Sequence, residues 1–194
     1  MPFLTESEAR NKADSKDFAP TFLAVNGLKN ALVSDEFDIF LSHSIKDAAI
    51  VLGVMRALEA TGKSVYVDWV QDKDYDRVAV DGDTAEQLRN RMRQCASLIY
   101  IYSKHSQRSR WMPWELGFFD GLNGNVAVFP IRPDQGELDF DGEEYLQIYP
   151  KVEIAVRPGG PELRVTKAAR VENADSLPFD EWKQSADKLR PRGP

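Results

Sequence analysis

The stretch Ser109 to Gly121, SRWMPWELGFFDG, sets one acid among indoles. Trp111 and Glu115 stand four residues apart, so on a helix they share a face. Two readings of Glu115 stand side by side. A carboxylate in the first turns of a helix interacts favourably with the helix dipole and needs no other role. The same carboxylate against an apolar wall could be a catalytic acid. An O-glycosidase ordinarily needs a paired acid and base, because a sugar alkoxide leaves badly. An N-glycosidic bond to a cationic base breaks more easily. Nicotinamide, for example, leaves NAD as a neutral molecule and needs no proton. One carboxylate can then suffice, by holding ribose hydroxyls and stabilising an oxocarbenium-like transition state. Trp111 would wall such a site.

Other chemistries fit less well. Ser42, His43 and Asp68 can be drawn as a triad, but the glycine pattern of a nucleophile elbow is missing. His43 and His105 are the only histidines and lack partners at zinc-binding spacing, so no metal is expected. Asp72, Asp74 and Asp76 imitate a calcium loop, yet Arg77 stands where glycine is needed and Asp83 where glutamate is needed. A charged loop over the site is the better reading. No GxGxxG or GxxxxGK[ST] cradle occurs. Arg89, Arg91, Arg93, Lys104, Arg108 and Arg110 face only Glu86 in their segment, a local positive patch that could draw a pyrophosphate or an acidic protein face. For Arg89, Arg91 and Arg93 a solvated helix face explains as much.

The elements that must position these residues alternate. FDIFLSHS, SVYVDW, SLIYIYS and NVAVFPIRP read as strands. Between them, IKDAAIVLGVMRALEATG, TAEQLRNRMRQCA and WMPWELGFFDGLNG read as helices. On TAEQLRNRMRQCA, Leu88, Met92 and Cys95 should share a face. On WMPWELGFFDGLNG, Trp114, Phe118 and Leu122 read as the core stripe, which leaves Trp111 and Glu115 facing a cleft. Right-handed crossovers give an α/β sandwich, a central parallel sheet with helices on both faces. Ligands of such sheets bind beyond the carboxyl ends of the strands. Those ends carry Ser42, His43 and Ser44, then Asp68 and Trp69, then Ser103, Lys104 and His105. Residues 1–36 form an N-terminal extension expected to be helical, with capping-box spacing at Thr5 and Glu8 and helical spacing through Pro20 to Val33. Residues 37–157 form the domain, and residues 158–194 a C-terminal extension. YLQIYPKVEIAV and ELRVT read as a short helix or strand and an edge hairpin.

The bulk numbers restrict the partners. The net charge of −6 over 194 residues argues against a general nucleic-acid binder. One cysteine, Cys95, excludes an internal disulfide framework and fits a reducing cytoplasm. The start lacks a basic region followed by an apolar run, and no stretch reaches the ~18 apolar residues of a membrane span. Neither membrane nor nucleic acid is an expected partner.

FDIFLSHS, VYVDW and SLIYIYSKHSQRSRWMPWEL, in that order, resemble a Toll/interleukin-1 receptor (TIR) domain. The family pattern of serine, tryptophan and then glutamate falls on Ser109, Trp111 and Glu115. The resemblance covers about Phe37 to Pro133 and implies a flavodoxin-like parallel sheet. It also implies NAD+ as a substrate, with nicotinamide released and ADP-ribose or a cyclic ADP-ribose-type nucleotide formed, and with no cofactor. By position Glu115 would be catalytic, with Ser42, His43, Asp68 and Trp111 lining the site. Val70 to Asp83 would be the loop that gates the site and mediates TIR self-association. That loop is longer and more acidic than is usual in the family, and methionine follows Trp111 where plant members have cysteine. A short stand-alone TIR protein is similar to the signal-making component of bacterial antiphage systems such as Thoeris, which reaches a separate effector through a diffusible nucleotide. Two alternatives remain: a non-catalytic TIR adaptor, and a nucleoside 2-deoxyribosyltransferase-like enzyme that would use Glu115 as nucleophile.

Overall fold

A computed structural model describes residues 3–14, 36–71, 82–136, 140, 142–166 and 176–185. The apolar run Pro20 to Val33, most of the loop after Val70 and the last residues lie outside them. The elements are α1 (Glu6–Asp14), β1 (Phe37–Ser42), α2 (Ala48–Glu59), β2 (Val65–Tyr66), α3 (Asp68–Gln71), α4 (Gly82–Arg93), β3 (Cys95–Tyr102), α5 (Trp111–Leu122), β4 (Val126–Pro130), β5 (Lys151–Arg157), β6 (Gly160–Thr166), β7 (Ser176–Pro178) and α6 (Phe179–Gln184).

The strands form one sheet in the order β2-β1-β3-β4-β5-β6-β7. Pairing is parallel from β2 to β5, the flavodoxin-like order, and antiparallel through β6 and β7. The expected hairpin is β5 with β6, and β7 and α6 continue the sheet and its cover. Side chains alternate across the sheet. Ile39, Leu41, Ile99, Ile101 and Phe129 enter one core with α2 and with Phe179 and Trp182 of α6. Phe40, Leu98, Tyr100 and Val128 enter the other with α4 and α5. Each fully buried side chain of this size contributes roughly 1.5–3 kcal/mol.

The Thr5–Glu8 capping box forms: Thr5 N donates to Glu8 Oε2 at 2.8 Å and Glu8 N to Thr5 Oγ1 at 3.2 Å. Thr5 also bridges Arg132 just beyond β4. The helix α1 then crosses α2 where Ala9 meets Gly53, an approach that any Cβ at position 53 would block.

Three expectations change. The strand β2 ends at Tyr66, and Asp68 begins α3, where its Oδ1 accepts the Trp69 backbone N–H at 2.8 Å. Cys95 opens β3 and does not lie on the α4 face, because α4 ends at Arg93. On α5 the buried stripe is Trp111, Met112, Glu115, Leu116 and Phe119, while Leu122 is 43% exposed and Trp114 and Phe118 are half-buried. Apolar residues occupy two adjacent stripes of α5, so periodicity alone cannot choose between them. The sheet takes the stripe carrying Glu115, whose carboxylate accepts the Ser42 hydroxyl.

Candidate active site

The chain reverses its winding between β1 and β3, and a crevice opens at the carboxyl ends of such strands. Ser42 is the last residue of β1 and shares the sheet face of Phe40, the face that α5 covers. Its Oγ donates to Glu115 Oε2 at 2.6 Å. Both residues are wholly buried. A hydroxyl donor to a carboxylate is charge-assisted and short, and it fixes the carboxylate's rotamer. Trp111 lies one turn earlier on the same stripe of α5, is almost fully buried, and meets Trp114 edge to face at 5.5 Å.

The next residue, His43, is held at both nitrogens. Nδ1 donates to the Leu41 carbonyl at 2.7 Å, and Nε2 accepts the Trp69 indole N–H at 2.8 Å. Those partners define a neutral imidazole protonated at Nδ1. Asp68 Oδ1 lies 3.5 Å from Nε2. Ser42 gives its proton to Glu115, so Ser42, His43 and Asp68 do not form a nucleophilic triad. The structure instead makes two linked hydrogen-bonded pairs, Ser42 with Glu115 and His43 with Trp69, joined through the Ser42–His43 peptide, with Asp68 beside the second. Cys95 is not a nucleophile either, since burial pushes its thiol up to about 12.

Two buried carboxylates of the same rim escaped the sequence reading. Asp47 accepts Ser103 Oγ at 2.5 Å and pairs with His105 Nδ1 at 2.5 Å, tying the turn after β1 to the turn after β3. Glu143 accepts hydrogen bonds from Tyr100, from Ser106 at 2.5 Å and from Tyr145 at 3.3 Å. Only the Ser103–His105 motif hinted at the first. Glu143 looks no different from Glu144 in DGEEY, although the Glu144 carboxylate merely accepts the Gly142 amide at 3.1 Å on the exposed surface.

The basic segment divides. Arg89 and Arg93 pair with Glu86 and lie over Phe118, while Arg91 lies over Tyr66, so these three support α4. Lys104 pairs with Glu6 of α1 at 3.0 Å. Among the described residues no group of three or more His, Cys, Asp or Glu is placed to hold a metal ion, and no helix is long and apolar enough to cross a membrane.

Comparison with known proteins gives a consistent result. A family model described as "TIR domain" matches residues 39–155. A Bacillus cereus (strain MSX-D12) protein, "Probable 3' cyclic ADP-D-ribose synthase ThsB'", is 41% identical over 161 residues, which is 78% of this chain and 83% of the relative. A Cytobacillus dafuensis protein, "Putative cyclic ADP-D-ribose synthase TIR2", is 30% identical over 121 residues, 60% of this chain and 31% of that much longer protein.

Proposed function

The chain belongs to the TIR-domain family, and from that premise we propose that it cleaves NAD+, releases nicotinamide and closes the remainder into a cyclic ADP-ribose-type nucleotide. The observation that carries this reading is the buried Glu115 carboxylate, oriented by Ser42 at 2.6 Å on the strand-end rim. Breaking the bond to nicotinamide develops positive charge on the ribose, and a fixed carboxylate in a low-dielectric site stabilises it. Trp111 walls the site. The cross-link from His43 to Trp69 holds the end of β1 against α3, with Asp68 beside it. Nicotinamide leaves neutral, so the reaction needs no separate cofactor.

Glu115 has no exposed surface, so the site must open to admit substrate. We place that opening with TIR self-association. The nucleotide would act as a diffusible messenger to a separate effector in antiphage defence, in the cytoplasm where NAD+ is held. Incubation of the purified chain with NAD+, with products separated by chromatography and identified by mass, tests this. Nicotinamide and a cyclic nucleotide are expected. No turnover even at high protein concentration would favour an adaptor, and turnover of deoxynucleosides in place of NAD+ would favour a transferase.

A further inference from the structure

Glu115 accounts for bond cleavage and leaves one proton without a destination. Closing the ring breaks the bond from ribose C1 to nicotinamide, whose electron pair neutralises the pyridinium nitrogen. Where the ring closes through a hydroxyl of the adenosine ribose, the closure that the "3' cyclic" in the relative's name describes, that oxygen bonds to C1 and sheds its proton. The balance is NAD+ going to cyclic nucleotide, nicotinamide and H+. A residue that accepts this proton is needed for ring closure but not for cleavage itself.

Glu143 has the surroundings for that task. It is 2% exposed, and among the described residues its carboxylate meets only hydroxyls and no cation. A buried carboxylate with no countercharge is costly to keep ionised, and hydroxyl donors offset only part of that cost. Its neighbour Ser106 has one hydroxyl proton but faces two acceptors, the Ser103 carbonyl at 2.7 Å and Glu143 Oε2 at 2.5 Å. A proton on Glu143 Oε2 would let both contacts be hydrogen bonds at once. On the other oxygen, Oε1, Tyr100 and Tyr145 donate. Burial, reinforced by Glu143, holds the Tyr100 phenol well above its ordinary range, so it stays a proton donor that can only relay.

The cluster adjoins the end of β1 on one side and the surface on the other. Tyr100 is the β3 register partner of Ser42, so the two side chains rise from one sheet face on adjacent strands. Ser42 holds Glu115, and Tyr100 holds Glu143. At the other end the Tyr145 residue is 42% exposed and meets solvent.

We propose that Glu143 takes up the proton released in ring closure, receiving it through Tyr100 and passing it to solvent through Tyr145. Glu143 does not touch substrate; it works through these hydroxyls. The inference rests on the NAD-cleaving reading of the same site.

The test separates cleavage from closure. The full chain is incubated with NAD+ and isotopically labelled nicotinamide. Entry of label into NAD+ reports breaking and remaking of the C–N bond, which deprotonates no hydroxyl. The cyclic nucleotide reports closure. Glu143→Gln, with its fold checked by circular dichroism, should lower the ratio of closure to exchange by about 10²-fold or more. Tyr145→Phe, at the half-exposed end, should lower the same ratio less steeply and decides the matter if Glu143→Gln does not fold. An unchanged ratio in the folded variants, including an equal fall in both readouts, overturns the proposal. Absence of both exchange and nicotinamide release in the wild-type protein would instead overturn the NAD reading beneath it.

Discussion

Ser42 and Glu115 lie 73 residues apart in the chain and 2.6 Å apart in space, hydroxyl to carboxylate, with no solvent between them. The strand β1 delivers one and the helix α5 the other, and the sheet brings them together at its β1/β3 reversal. That bond helps to direct a carboxylate that is wholly buried.

Ser42→Ala should therefore slow nicotinamide release more than it weakens NAD+ binding. A hydrogen bond to a charged group is worth ~1.5–3 kcal/mol, so kcat should fall roughly tenfold to a hundredfold. Steady-state kinetics with NAD+ checks this. A variant with unchanged kcat would show that Ser42 does not set the Glu115 geometry.

The parts that were legible in the sequence had local signatures. The four strands and their helical crossovers follow from periodicity and turn residues, and the Thr5–Glu8 cap from its spacing. The strand-end rule alone puts Ser42, His43 and Glu115 on one rim. The face of α5 was not legible. Trp114, Phe118 and Leu122 form as good an apolar stripe as Trp111, Met112, Leu116 and Phe119, and the Ser42 hydroxyl that meets the second stripe comes from a strand 73 residues away. Glu143 was not legible either, because its burial depends on three hydroxyls drawn from β3, the turn after it and its own segment.

The contact of α1 with α2 gives a second prediction. A Cβ at Gly53 would lie 1.8 Å from the Ala9 carbonyl oxygen, so Gly53→Ala forces the helices apart. Overpacking of this kind costs about 1–3 kcal/mol. The variant should melt several degrees lower and be cleaved faster by protease near its N-terminus. Unaltered melting and cleavage would mean that α1 is not docked there in solution.

Acid sensitivity should arise at the seat of α6. Burial raises the Asp38 carboxyl, but the Ser64 amide and the Lys183 ammonium outweigh it and hold it below the usual range. Asp180 is likewise lowered, chiefly by Lys63. A depressed folded-state pKa stabilises the protein above the unfolded value of about 3.9, and that share is lost as pH falls through the folded value. Asp38→Asn should thus lower the melting temperature at pH 7 and converge with wild type in acid. Equal gaps between the two at neutral and acid pH would contradict the assignment.

The most direct measurement is nicotinamide release by wild type and Glu115→Gln, side by side at equal concentration, with matched circular dichroism spectra. The amide keeps the shape and the Ser42 contact but removes the charge to which we assign stabilisation of the ribosyl cation. Release should fall by at least about 10²-fold, the scale of losing one fixed electrostatic stabiliser. Release by Glu115→Gln within a few-fold of wild type would contradict the account.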